Sequence, residues 1–290
     1  MILSLGELLW DVHVEPGGTL ETGERLRRIP GGASSNVALE LARRGLEVAV
    51  AGALSDDAMG RGLADALRAE GIDTTRIVHA PGRTGVVFLD RNQTSHERFV
   101  SYRPSVDGFR GTTLPPELRA LHVAALHPNL DELSAYVELA SEARRRGAWV
   151  IVDANVRPLP WREGLATATA ARLADLLATV DVLKASDSDL AVLDAGMGDT
   201  VAHVVASGGT CFVTRGAAPT DASGRWGTLS HRPPQVELVR SIGAGDAFVA
   251  GLLGHLVQAP RSQTPGDEAF WSASLAAAHE SAARRITSVW

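Results

Sequence analysis

The chain has 290 residues, 45% apolar and 21% charged, enough to bury a large core as one α/β unit with no need of a second domain. Its net charge of −6 argues against nucleic acid or an anionic membrane as main partner, and no apolar run approaches the ~20 residues of a membrane span. Cys211 is the single cysteine, which forbids an internal disulfide and a thiolate-rich metal site. The acidic Glu7 comes too early for a secretory leader, so a cytoplasmic location is expected.

Taken in order, residues 2–5 read as a buried strand, and Asp11 follows close enough to meet a ligand in the crevice at the strand's carboxyl end. A turn or cap is the other reading of Asp11. Residues 12–30 are rich in Gly, Glu and Arg, which suits an exposed flap. Gly31-Gly32 then lets backbone approach a ligand, and Val37 to Gly45 is an amphipathic helix with a glycine stop. The spacing is not G-x-G-x-x-G, which argues against a nicotinamide cofactor. A strand over 48–54 and a helix over 57–70 come next. Residues 86–89 and 98–102 flank a polar 90–94 in a hairpin pattern, and segments 12–30 and 84–104 together suggest a small β lid.

The α/β rhythm resumes with a strand over 122–126, a helix over 131–146 and the strand Trp149 to Asp153. Arg157 lies in the following loop, where it could neutralise a phosphate or a substrate acid; a surface arginine is the alternative. Strands are expected over 180–184, 211–214 and 236–239. Lys184 is the only lysine among 28 basic residues and follows Leu183, so a Walker A Gly-Lys pair is excluded. No repeat or linker interrupts the strand–loop–helix order, which implies one doubly wound parallel sheet.

Ser241-Ile242-Gly243-Ala244-Gly245-Asp246 is the most informative stretch. It hands over to a nearly all-apolar helix, so free N–H groups and the positive helix end make an anion site. Asp246 beside that site has a reason to exist if it is a base reaching a hydroxyl that attacks a phosphate. An Asp N-cap closing a glycine turn is the other reading of these residues alone.

Gly31-Gly32-x-x-x-Asn36 near the start and Gly243-Ala244-Gly245-Asp246 near the end, in this order and separation, resemble the two signatures of the ribokinase-like (PfkB) sugar kinases. The resemblance covers nearly the whole chain. It implies a mostly parallel sheet with helices on both faces, a β lid that supports dimers, and transfer of the ATP γ-phosphate to a sugar hydroxyl with Mg²⁺. Carried over, Asp246 is the base and Gly243, Ala244 and Gly245 form the anion hole. Asp11, Gly31, Gly32 and Asn36 hold the sugar, and Lys184, Thr214, Gly216 and Ala217 line the nucleotide. Asp153-x-Asn155-x-Arg157-Pro158 with Trp161, and Tyr102-Arg103, are similar to the branch of bacterial fructokinases and 2-keto-3-deoxygluconate kinases. Arg103 with Arg157 would suit an acid sugar; the surroundings of His127 and Lys184 lean to fructose. A sugar-binding protein on a kinase scaffold is the reading from another class.

The departures lie on the nucleotide side. Arg240-Ser241 stands where the family has Asp-Thr, whose Asp helps hold a potassium ion, so Arg240 is expected either to replace that ion as a fixed charge or to turn to solvent. His279 takes the place of an Asn near the adenine. Asp189 takes the place of a Glu linked indirectly to Mg²⁺, and the Arg-x-Gly-Ala close has no counterpart before Trp290.

Overall fold

Strands that are buried at every position need cover on both faces, and residues 2–5, 48–55, 120–123 and 149–153 are of that kind. The computed structural model describes residues 1–14, 26–89, 100–102, 112–161, 164–239, 241–259 and 266–287, so Arg103, Arg240 and parts of both expected lid segments lie outside the described residues. The first part of the chain forms β1 (Ile2–Leu5), β2 (Leu9–Val14), β3 (Leu26–Gly31), α1 (Ala33–Ala42), β4 (Val48–Ser55), α2 (Ala58–Ala69), β5 (Asp73–Ala80), β6 (Gly85–Leu89) and β7 (Val100–Tyr102). The middle forms β8 (Ala120–Val123), α3 (Leu130–Arg145), β9 (Trp149–Asp153), α4 (Pro158–Trp161), α5 (Thr167–Thr179), β10 (Val182–Ser186), α6 (Asp187–Met197) and α7 (Thr200–Ala206). The rest forms β11 (Thr210–Arg215), β12 (Ala218–Gly224), β13 (Gly227–His231), α8 (Ala244–Leu256) and α9 (Glu268–Thr287).

Nine strands make the main sheet in the order β13-β12-β11-β10-β9-β8-β1-β4-β5. The seven from β11 to β5 are parallel, and β12 and β13 extend the sheet as an antiparallel ribbon. Alternation along each strand divides the core. Ile2, Val48, Val50 and Ile151 pack with Val37, Leu63, Phe248 and Trp271 of α1, α2, α8 and α9. Leu3, Leu5, Ala49 and Val150 pack with Tyr136, Leu173, Leu193 and Val204 of α3, α5, α6 and α7. The doubly wound α/β sheet expected from the strand–helix rhythm is present.

A second sheet, β3-β2-β6-β7, supplies the expected β element. The hairpin reading holds where residues are described, with Val86 opposite Tyr102 and Phe88 opposite Val100. Its base is tied to the body by Trp10, whose Nε1 donates to the Met59 carbonyl at 3.1 Å, while the Arg28 guanidinium lies 4.5 Å over the Trp10 ring.

Two expectations change. Asp11 lies on a strand of this second sheet, β2, and not in a loop after β1. Residues 236–239 are not a strand: the edge strand is Gly227–His231, and Leu238 is 63% exposed. Pro233-Pro234 has no N–H to give to a ladder, so pairing stops there. The segment is fixed instead by the Val239 N–H, which donates to the Ile286 carbonyl of α9 at 2.9 Å.

Candidate active site

The glycine turn is built by Gly243, which caps α8 with φ +81°, a left-handed conformation that favours glycine. No side chain caps this helix end, so the N-cap reading of Asp246 fails; the cap is Gly243. Ala244 N–H closes the turn on the Ser241 carbonyl at 3.3 Å. Gly245 and Asp246 follow in the first helical turn, where N–H groups have no acceptor within the helix. Asp246 points to α1: its Oδ2 accepts a hydrogen bond from Asn36 Nδ2 at 2.8 Å. Burial raises the Asp246 carboxyl above the usual range, and Asn36, Lys184, Arg157 and Arg285 pull it back toward ionisation.

Asp11 reaches the same place from the second sheet. A Cβ on Gly31 would stand 2.2 Å from its Cγ, so only a residue without a side chain fits between the carboxyl and β3. Burial pushes Asp11 up to about 7, the charge of Asp246 adds to this, and Arg285 opposes it. Gly32 is the N-cap of α1, which places Asn36 in that helix's first turns. Thus Asp11, Gly31, Gly32, Asn36 and the 243–246 turn converge, although 210 positions separate Asn36 from Asp246.

Beneath the turn lies a buried ion pair. Lys184 Nζ on β10 donates to Asp153 Oδ1 on β9 at 3.0 Å, and a Cβ on Gly245 would come within 3.3 Å of that Nζ. Burial holds Asp153 up at about 6, against the pull of Lys184. For Lys184 the surrounding Asp153, Asp189 and Asp246 outweigh the loss of solvation and raise its pKa, so both partners are ionised at neutral pH. Lys184 is therefore a cation under the glycine turn. Arg157 Nη1 donates to Asn155 Oδ1 at 2.6 Å and is close enough to favour the charged form of Asp246. Asn155 has φ +37°, alone among described non-glycine residues in being positive.

Asp189 is engaged by backbone. Its Oδ2 accepts the Ser186 N–H at 2.7 Å in a capping box, and its Oδ1 accepts the Val156 N–H at 2.8 Å, which pins the loop carrying Arg157. Thr214, at the end of β11 beside Ser186, donates from Oγ1 to the Ala185 carbonyl at 3.4 Å, and Gly216 and Ala217 form the exposed turn after it. His279 does not stand open beside them. It is 3% exposed, with Nδ1 at 2.9 Å from His231 Nδ1 and Nε2 at 2.9 Å from Thr220 Oγ1, so both nitrogens are spent inside the protein. Burial, with His231 alongside, lowers its pKa to about 4. The expectation of a nucleotide contact at His279 is corrected accordingly. Tyr102 ends β7, and Arg103 is outside the described residues.

Sequence reasoning passed over Arg285. From the last turn of α9 its Nε would lie 3.0 Å from a Cβ on Gly243, and it pairs with Glu40 of α1 at 3.6 Å. Nothing in the local pattern marks it: Arg284 and Arg285 are adjacent and so lie on different faces of α9, and Arg284 pairs with Glu280.

A carboxylate and an open helix terminus, held together at the mouth of a doubly wound sheet, suit transfer of an anionic group to a hydroxyl. That is the equipment of a phosphotransferase with an alcohol acceptor. Comparison with known proteins gives the class a family: the model described as pfkB family carbohydrate kinase matches residues 1–289. The chain belongs to that family and is a carbohydrate kinase. A fructokinase of Klebsiella pneumoniae is 34% identical over 250 residues, 82% of this chain and 80% of that protein. The crystal structure of a fructokinase from Xylella fastidiosa with bound ATP superposes with TM-score 0.81 at 26% identity, over 99% of this chain and 92% of that one. A fructokinase variant from Vibrio cholerae, holding fructose, ADP and a potassium ion, shares the fold with TM-score 0.80 at 22% identity, over 99% and 92% of the two chains.

Proposed function

We propose that the protein transfers the γ-phosphate of ATP to a primary hydroxyl of fructose or a related ketose, with Asp246 as the base. The observation that carries this reading is the position of Asp246, half-buried in the first turn of α8 and held by Asn36 within the influence of three basic side chains. Asp246 accepts the hydroxyl proton while the N–H groups of the 243–245 turn, backed by Lys184, stabilise charge on the transferred phosphoryl group. Asp11 orients the sugar through its hydroxyls, with Gly31 and Gly32 letting the backbone come close. Thr214, Gly216 and Ala217 line the nucleotide. The kinship with fructokinases supports the ketose.

Among the described residues no cluster of three or more His, Cys, Asp or Glu could hold a metal, and both Asp189 oxygens already accept backbone N–H groups. A Mg²⁺ ion would therefore have to come with the phosphates of ATP, and Asp189, with both oxygens engaged, would assist it only indirectly. Bound there, Mg²⁺ would neutralise charge on the leaving phosphates.

Arg157 beside Asp246 favours a second substrate, an acid sugar of the 2-keto-3-deoxygluconate type, whose carboxylate it would pair with. The deciding experiment is ADP release from ATP and Mg²⁺ across a panel of ketoses and sugar acids, with Asp246→Asn beside it. Turnover with fructose, reduced roughly 10²–10⁴-fold by Asp246→Asn, is the expected result. A loss under about tenfold would place the base elsewhere. Turnover with the acid sugar, abolished by Arg157→Ala, would select the second substrate. Binding that stabilises the protein without turnover would mark a sugar-binding protein. Among the described residues β3 ends the second sheet, with Leu26 47% exposed, which supports a homodimer through the lid, checked by light scattering.

A further inference from the structure

Two segments meet at the outer side of the glycine turn. One is the chain entering it, where Val239 N–H donates to the Ile286 carbonyl at 2.9 Å. The other is the last turn of α9, packed against α8 so closely that a Cβ on Gly251 would stand 2.6 Å from the Ala277 carbonyl oxygen. Ser281 Oγ on α9 also donates to the Ala247 carbonyl of α8. These contacts fix the register of α9, and the register delivers the Arg285 guanidinium to Gly243: Nε and Nη2 would lie 3.0 and 3.3 Å from a Cβ there. The Arg285 side chain is only 16% exposed, so it does not sweep through solvent.

The charges around it are mixed. Arg285 feels Glu40 and Arg43 of α1, Asp246 of α8 and Asp11 of β2. Asp246 in turn feels Asn36, Lys184 on β10, Arg157 after β9 and Arg285. A guanidinium stays protonated under any assay condition, so this is a permanent positive charge against the backbone of the turn. A monovalent cation beside the same turn requires oxygen ligands. Here the structure offers the Arg285 guanidinium; in the sequence alone, Arg240, outside the described residues, stands where the resembling kinases carry an aspartate. A guanidinium held against Gly243 does not fit an alkali ion at that side of the turn.

We propose that Arg285 is the fixed cation of the glycine turn, a positioning residue that makes a bound potassium ion unnecessary. The proposal rests on Asp246 and the 243–245 turn as the phosphoryl-transfer site, and it moves the replacing charge from Arg240 to the last turn of α9. The charge acts on the turn and on the carboxyls of Asp246 and Asp11 beside it.

The test uses the full chain at constant ionic strength in sodium, potassium and tetramethylammonium chloride. The wild type is expected to turn over the same sugar at rates within about twofold in all three salts, and its Tm should not change between them. Arg285→Gln should lower kcat by roughly tenfold or more with little change in the KM for sugar. Losing a positive charge raises the pKa of Asp246 and Asp11, so the acid limb of the kcat profile should move to higher pH; Arg285→Lys should restore it. A wild type that is several-fold faster, or melts several degrees higher, in potassium overturns the proposal. So does an Arg285→Gln protein whose acid limb stays in place. The Tm comparison reads the proposal even if no sugar in the panel is phosphorylated, which separates its failure from that of the kinase reading. If Arg285→Gln does not fold, Arg285→Lys together with the salt comparison on the wild type still decides.

Discussion

At the scale of residues, the site is defined by carboxyls kept where water would not leave them. Asp11 is raised from 3.8 to about 7, first by burial and then by Asp246. Its pKa is higher folded than unfolded, so the folded protein binds more protons between those values. Stability therefore falls as pH rises through that window. Asp11→Asn should remove the penalty. At pH 8 the variant should be more stable than the wild type by roughly 1–3 kcal/mol, and at pH 4 or below the difference should vanish. Calorimetry at both pH values checks this, and a lower Tm for Asp11→Asn at pH 8 would refute it. The same substitution should raise the KM for sugar, the usual opposition between stability and function at a built site. Lys184 and Asp153 behave differently because each satisfies the other at 3.0 Å, and removing either alone would strand a buried charge.

At the scale of elements, the contact of α8 with α9 sets the geometry of the candidate site, because one carries Asp246 and the other Arg285. Their contact is made at Gly251, where an added Cβ would meet the Ala277 carbonyl oxygen at 2.6 Å and the Ala278 Cα at 2.8 Å. Backbone cannot swing aside as a side chain can. Gly251→Ala should separate the helices, destabilise the protein by roughly 1–3 kcal/mol and lower kcat together with Tm. Gly254, one turn on, has only Leu46 Cδ1 at 3.6 Å and Arg44 Nη1 at 3.8 Å near its missing Cβ. Gly254→Ala should therefore be neutral or stabilising by up to about 1 kcal/mol, through helix propensity alone. Equal melting of the two variants would contradict the close-packing account. This contact also shows what the sequence leaves hidden. The apolar run after Asp246 reads plainly as a helix, and the central parallel strands β1, β4, β8 and β9 announce themselves by being largely apolar. Arg285 is silent, because nothing local says that α9 lies antiparallel to α8 with its last turn at Gly243. Residues 236–239 mislead for the opposite reason: they alternate like a strand but follow two prolines and find α9 instead of a neighbour strand. His279 is legible only as a polar residue near the end of the chain, and its burial against Thr220 and His231 is a tertiary fact.

At the scale of the whole molecule, 34 acidic against 28 basic side chains repel an anionic substrate at long range, yet Lys184, Arg157 and Arg285 gather around one carboxylate at the mouth of the main sheet. The basic cluster must overcome that background field over short distances, where salt screens it least. Exposed Arg157 should lose more influence with ionic strength than buried Lys184. Raising salt from about 0.05 to 0.5 M should thus raise the KM for ATP only a few-fold. The effect should be smaller in Arg157→Gln, whose remaining cations are shielded from solvent. The KM for a neutral ketose should be indifferent to salt if, as proposed, it is met through its hydroxyls, whereas that for an acid sugar should rise in parallel with ATP. Initial rates with each substrate varied in turn at fixed pH measure all of this. A sugar KM that climbs with salt would show that the acceptor itself is charged, and would return the substrate to the acid branch.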